Sequence, residues 1–188
     1  MMRKAIAAMA AMTICLTACA APAAPKIETV EEKIGNLTIQ APVGWEKSTD
    51  DKSKEFTRYS YYVEGNDETQ AFLSIYYNKD PNQDFSISDF DPYFDTDVMN
   101  ANSDAIYTYD SINDDFLGNK PIRKASGTWY DGKLYDRTFV MMYDADCKKI
   151  AVEYNYLDEL ADQGYADYAD TLLDTMQLIY DYQYTTAQ

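Results

Sequence analysis

IRKASGTWY (Ile122–Tyr130), LYDRTFVMMY (Leu134–Tyr143) and KIAVEYNY (Lys149–Tyr156) follow one another with only Asp131-Gly132-Lys133 and Asp144-Ala145-Asp146-Cys147-Lys148 between them. All three are rich in aromatic and β-branched or long apolar residues, which suit a pleated, half-buried surface. Asp-Gly between two such runs is a strong hairpin signal, because a tight two-residue turn needs positive φ at its centre. In the third run Ile150, Val152, Tyr154 and Tyr156 alternate with Ala151, Glu153 and Asn155, so the large apolar side chains share one face. The spacing predicts three consecutive antiparallel strands, and the rest of the chain has to cover the sheet they start.

Upstream, Leu37-Thr38-Ile39-Gln40 alternates as a strand and ends at Ala41-Pro42-Val43-Gly44-Trp45, a turn that presents a tryptophan. Phe56–Val63 reads as a strand closed by Glu64-Gly65-Asn66-Asp67. Gln70–Asn78 carries Ala71, Leu73, Ile75 and Tyr77 on one face and Phe72, Ser74 and Tyr76 on the other. Apolar side chains on both faces predict a sheet covered on each side. Ser88 offers an N-cap, with Asp91 three residues on, for a helix carrying Phe90, Phe94, Val98 and Ala101 at helical spacing, although Pro92 removes a donor. Ile106–Ser111 is a further strand, and Gly118–Pro121 turns into the meander. Tyr165, Tyr168, Leu172, Met176 and Ile179 form the apolar stripe of a closing helix whose Asp167, Asp170 and Asp174 face water. The expectation is one α+β domain over 34–180, an antiparallel β-sheet flanked by helices, with a frayed tail over 181–188.

The N-terminus has a different character. Arg3 and Lys4 precede an uncharged run from Ala5 to Leu16, which has the length and flanks of a secretory signal peptide and is too short to span a membrane as a helix. Leu16-Thr17-Ala18-Cys19 resembles the lipobox of bacterial lipoproteins. The resemblance implies that residues 1–18 are removed, that Cys19 carries lipid including palmitate, and that the protein sits on the extracytoplasmic face of the cell membrane, held there through that lipid. Residues 19–33 begin Cys-Ala-Ala-Pro-Ala-Ala-Pro and continue into charge, which predicts a flexible tether. Without residues 1–18 the remaining 14 basic residues face 32 acidic ones, a net charge of −18. So acidic a body is repelled by nucleic acid and by anionic headgroups, so the lipid alone is its hold on the membrane. Cys147 is then the one thiol left in the domain, which excludes an internal disulfide framework.

The composition also bounds the chemistry. The sequence has no histidine, which removes the usual general base near neutral pH, the nucleophilic triads built on it and the commonest zinc ligand. Its seven glycines form no phosphate-binding loop, and no cofactor or metal is expected. Acid clusters at Asp89, Asp91, Asp95 and Asp97 and at Asp110, Asp114 and Asp115 lack the calcium-loop pattern. Eighteen tyrosines against seven phenylalanines are the remaining peculiarity. Tyr59, Tyr61 and Tyr62, or Tyr76 with Tyr130, could form an aromatic platform with hydroxyl edges for a protein or glycan partner. The alternative reading of those tyrosines is half-buried sheet filler.

The strand and Pro-x-Gly-Trp turn of Leu37–Trp45, the Gly118–Trp129 region, the paired strands Thr138–Tyr143 and Ile150–Tyr156 and the closing helix together resemble the PsbP/Mog1-like fold over roughly Ile34–Ile179. That resemblance implies an accessory or binding role without catalysis. The competing expectation is an envelope hydrolase that uses paired carboxylates on glycan or peptide.

Overall fold

The computed structural model describes residues 26–65, 68–117 and 120–179. Its strands are β1 (Thr29–Ile34), β2 (Leu37–Pro42), β3 (Glu46–Asp50), β4 (Phe56–Gly65), β5 (Glu68–Pro81), β6 (Ile106–Leu117), β7 (Lys120–Tyr130), β8 (Leu134–Tyr143), β9 (Lys148–Leu157) and β10 (Gln177–Leu178). Its helices are α1 (Asp91–Phe94), α2 (Thr96–Ala101) and α3 (Tyr165–Thr175). Seven strands form one antiparallel sheet in the order β3-β4-β5-β9-β8-β7-β6, and β1-β2-β10 form a small second sheet. The fold is α+β, as expected.

The meander β7-β8-β9 pairs in sequence order, with Trp129 opposite Tyr135 and Val140 opposite Val152. Gly132 supplies the positive φ of the first turn at 72°. In the second turn Cys147 takes φ 61°, an uncommon setting for a residue with a side chain. Asp144, wholly buried, holds that turn by accepting from the backbone N–H groups of Asp146 at 2.9 Å and Lys148 at 2.8 Å. Tyr77 and Asn36 donate to the other oxygen of the same carboxylate.

One face of the large sheet carries the main core. Leu73 and Ile75 of β5, Ile150, Val152 and Tyr154 of β9 and Val140 and Met142 of β8 pack against Leu37 and Ile39 of β2 and against Tyr168, Leu172 and Met176 from the closing segment. Burying each such aliphatic side chain contributes about 1.5–3 kcal/mol. Trp45 is half-buried between the rings of Tyr154, Tyr165 and Tyr168, at centroid distances of 6.1–6.3 Å. The Tyr168 hydroxyl reaches across to the Gln40 carbonyl at 2.8 Å and joins α3 to the small sheet.

Several elements depart from the expectations. Thr29–Lys33, placed in the tether by composition, joins Ile34 in strand β1 and pairs along its length with β2. Val30 stays 54% exposed, so backbone hydrogen bonds hold β1 more than burial does, and a search for apolar residues passes over it. The helix expected from Ser88 is broken into a 3₁₀ turn at Ile87–Phe90, then α1, then α2. Its capping box is Ser86 with Asp89, two residues earlier than Ser88 with Asp91: Ser86 Oγ accepts from Ser88 N–H, and Asp89 accepts from Ser86 N–H at 3.0 Å. Pro92 falls in the first turn of α1, where its missing donor costs nothing. Extended Asp95 stops that helix and caps the next through Asp97 and Val98 N–H. The closing helix ends at Thr175, so Met176 and Ile179 of the expected stripe lie beyond it, and strand β10 brings Leu178 into the core instead. The second face of the large sheet is only partly covered. The 3₁₀ turn and α1 seat Phe90 and Phe94 on Ala125, Phe139, Met141 and Tyr143 at the β7-β8 end. The turns at 66–67 and 118–119, the tail over 181–188 and everything up to residue 25 lie outside the described residues.

Candidate functional site

The uncovered part of that second face is a trough. Strand alternation puts Arg58, Ser60 and Tyr62 of β4 opposite Tyr76, Ser74 and Phe72 of β5. Ser48 of β3 pairs with Ser60, and the Ser60 and Ser74 hydroxyls stand 3.5 Å apart, so one register row carries three hydroxyls. Trp129 and Tyr135 wall the trough. Their rings are 4.8 Å apart, and Phe72 meets Trp129 edge-on at 5.7 Å. This hollow measures about 500 Å³. Tyr76 also borders a second hollow of about 310 Å³, lined by Phe56, Pro92, Tyr93, Met99, Phe139 and Met141. Both volumes lie in the range of small-ligand sites.

Arg137 and Glu153 occupy the floor between β8 and β9. The Arg137 side chain is 4% exposed, and its Nε donates to Glu153 at 3.0 Å. Its Nη1 donates to the Tyr109 hydroxyl at 2.6 Å, and the guanidinium lies 4.6 Å from the Phe139 ring centroid and 4.8 Å from that of Tyr107. Three aromatic rings and a carboxylate thus offset the desolvation of one buried cation. Asn155 stands on the same face between Phe72 and Arg137 in the ladder, wholly buried, and neither of its amide atoms has a partner among the described residues. The Trp129 indole N–H is likewise without one.

The phenols here are held protonated. Burial raises the Tyr76 pKa, the nearby Glu153 adds to this, and Arg58 works against it. Burial raises Tyr109 despite Arg137, and burial with nearby Asp131 raises Tyr135. Glu46 beside Tyr62 raises that phenol on the solvent side. These hydroxyls therefore remain hydrogen-bond donors well above neutral pH.

The expected tyrosine platform is divided by the sheet. Tyr62 and Tyr76 both line the trough. Tyr61 is 2% exposed in the main core, and Tyr59 packs against that core from the same strand face. Tyr130, 48% exposed, lies at the end of β7 on the face opposite Trp129 and so opposite the trough. Arg137, Glu153 and the serine row were not singled out from the sequence. The signal for the row was present in the alternation Arg58-x-Ser60-x-Tyr62 and Phe72-x-Ser74-x-Tyr76, which puts small hydroxyls between rings on one face. The lipobox residues Leu16, Thr17 and Ala18 and the lipidation residue Cys19 lie outside the described residues.

Five of the seven acids in the two clusters have structural partners. Asp91 and Asp114 both accept from Arg123, which holds the Asp114 carboxyl below its ordinary range. Lys124 does the same for Asp115 at 2.9 Å. Asp89 accepts from Tyr143 and closes the Ser86 cap, and Asp95 caps α2. Among the described residues no three acidic or cysteine side chains are grouped to hold a metal ion. No helix of the described residues is long and apolar enough to cross a membrane. The carboxyl that burial raises, Asp136, alternates with Arg137 on β8 and lies on the face away from the trough.

Sheet, small second sheet and closing helix together define a PsbP-like α+β domain. No protein-family model and no curated protein matches the chain. Among solved structures it is similar to cyanobacterial PsbP (CyanoP) from Synechocystis, at 11% identity and a TM-score of 0.59, over 87% of this chain and 98% of that one. It is similar also to LpqN from Mycobacterium tuberculosis, at 11% identity and a TM-score of 0.51, over 82% of this chain and 92% of that one. At such identities the likeness is one of fold.

Proposed function

We propose that the chain is a lipid-anchored, extracytoplasmic binding module without catalytic activity. Acylated Cys19 ties it to the outer face of the cell membrane, and the trough on the large sheet receives its ligand or partner. The observation that carries the reading is the trough itself: a preformed, aromatic-lined hollow left open on a sheet whose other face carries the main core. The location is supported by the signal-like N-terminus and its Leu16-Thr17-Ala18-Cys19 tetrad. The fold it shares with LpqN, a protein described as involved in cell envelope biogenesis, is consistent with that location. In the adjoining hollow the carboxylate of Glu153 is engaged by Arg137, an arrangement suited to a rigid floor more than to proton transfer.

The anchor is tested by metabolic labelling with an alkyne analogue of palmitate in a bacterial host, followed by membrane fractionation. Wild-type protein takes up the label and sediments with membranes, and Cys19→Ala takes up none. An unlabelled wild type, or label retained in Cys19→Ala, refutes the anchor.

A further inference from the structure

From the lining of the larger hollow we infer that the trough binds an uncharged oligosaccharide; this rests on the trough being the binding site. The first ground is charge. The chain as a whole carries −16, yet the charged residues around this hollow are Arg58 and Asp131, one of each sign. Around the adjoining hollow Arg137 and Lys149 are matched by Glu55 and Glu153. A balanced lining within a strongly acidic body gives a charged ligand nothing to win, and a neutral one pays no penalty for entering.

The second ground is the kind of polar group on offer. Ser48, Ser60, Ser74, Thr69, Tyr62 and Tyr76 present hydroxyls, which both donate and accept, as the hydroxyls of a sugar do. Phe72, Trp129 and Tyr135 provide apolar ring surface beside them for the C–H faces of a pyranose. The serine row alone spans two strand spacings, about 10 Å, which is more than one sugar ring requires.

The third ground separates glycan from peptide. Extended peptides are held mainly by main-chain hydrogen bonds to a free strand edge. This trough lies on a sheet face, where β4, β5 and β9 have committed their backbone groups to the ladders. The free edge of β3 runs along the rim of the sheet, so on the face itself a ligand meets side chains, and they match a polyol.

The test uses the full-length acylated chain carrying Trp45→Phe, in micelles of a zwitterionic detergent without a sugar headgroup. Trp129 is then the sole tryptophan and reports on the trough. Its fluorescence is titrated with cellotetraose, chitotetraose and maltotetraose, and separately with a tryptophan-free peptide pool. The expected result is a saturable change with at least one tetrasaccharide. Ser60→Val, which keeps strand propensity and removes one hydroxyl of the row, weakens that binding about tenfold. Ser111→Val, on β6 away from the trough, leaves it unchanged. Saturation by peptides alone overturns the glycan inference while leaving the trough a binding site. No saturation by any tetrasaccharide up to about 10 mM, where a ligand of 1 mM Kd would be about nine-tenths bound, overturns it as well. Binding untouched by Ser60→Val overturns the assignment to this hollow. The anchor on Cys19 is read independently, by palmitate labelling.

Discussion

Replacing Arg137 by methionine isolates the energetic centre of the smaller hollow beside the trough. Arg137 is 4% exposed and its partner Glu153 18%, so the charges lie largely out of water. Methionine is flexible enough to stay among the Tyr107, Tyr109 and Phe139 rings that surround the guanidinium. The main loss is therefore that Glu153 keeps its charge without a partner, a condition that costs about 3–5 kcal/mol in buried pairs. The Tyr109 hydroxyl also loses the donor now 2.6 Å away. For a domain of this size, with a urea m-value of about 2 kcal/mol/M, the midpoint falls by roughly 1.5–2.5 M at unchanged slope. The double variant Arg137→Met/Glu153→Leu removes both charges and replaces them with apolar volume, so it recovers most of the loss. Equilibrium urea unfolding followed by circular dichroism measures all three proteins. The reasoning fails if Arg137→Met shifts the midpoint by less than about 0.5 M, or if the double variant is no more stable than the single one.

Gly127→Ala should be far more damaging than a strand alanine usually is, because its Cβ would lie 1.9 Å from the Thr108 carbonyl oxygen and 2.7 Å from Tyr109 Cα, beside the β6 bulge. A cost of about 3 kcal/mol lowers the melting temperature by roughly 6–12 °C, and a calorimetric shift within a degree or two would contradict the close approach. Leu172→Ala, at 1% exposure in the face of α3 turned to the sheet, loses about 2–5 kcal/mol in chemical denaturation; a loss below 1 would mean that α3 is not seated as described. Alkali should unfold the protein early. Burial pushes Tyr143 up to about 12, helped by its bond to Asp89, and burial also raises Tyr154, Tyr156 and Tyr168. Above the ordinary phenol value of 10 the unfolded chain gives up these protons and the folded one keeps them, so stability falls with rising pH. Tyr143→Phe should flatten that fall between pH 10 and 12 in urea titrations, and an unaltered slope would refute the assignment.

The strands of the meander and their faces were legible because their signals are local, whereas β3, all polar, reads as a loop. Asp131-Gly132 sets a turn through φ, and the period-two alternation of Ile150–Tyr156 sorts core from second face whatever the partner strand is. The breaks in the Ser86–Ala101 region were less so, since Asp95 can cap one helix only by ending another, and helical periodicity runs through both. β1 was missed because its hold is a ladder to β2 and not a stripe of buried side chains. The candidate site was the least legible part. Composition flagged tyrosines, yet four of the five singled out lie on β4 or at the end of β7, where neighbouring residues alternate between core and trough, so a cluster in sequence cannot be a cluster on a surface.

What decides the trough is the register between strands far apart in the chain. Phe72, Ser74 and Tyr76 meet Ser60 and Tyr62 across the β4-β5 hairpin and Glu153 and Asn155 across the long-range β5-β9 pairing, which joins positions about eighty residues apart. The same register explains why this face stays open. The apolar residues that could recruit a cover, Ala125, Phe139, Met141 and Tyr143, sit toward the β7-β8 side, where the 3₁₀ turn and α1 take them. On the β3-β4-β5 side the same rows hold three serines, an arginine and Tyr76, whose polar groups would have to be desolvated under a helix of the chain's own. The half of the face that cannot attract its own chain is thereby the half left for something else to occupy.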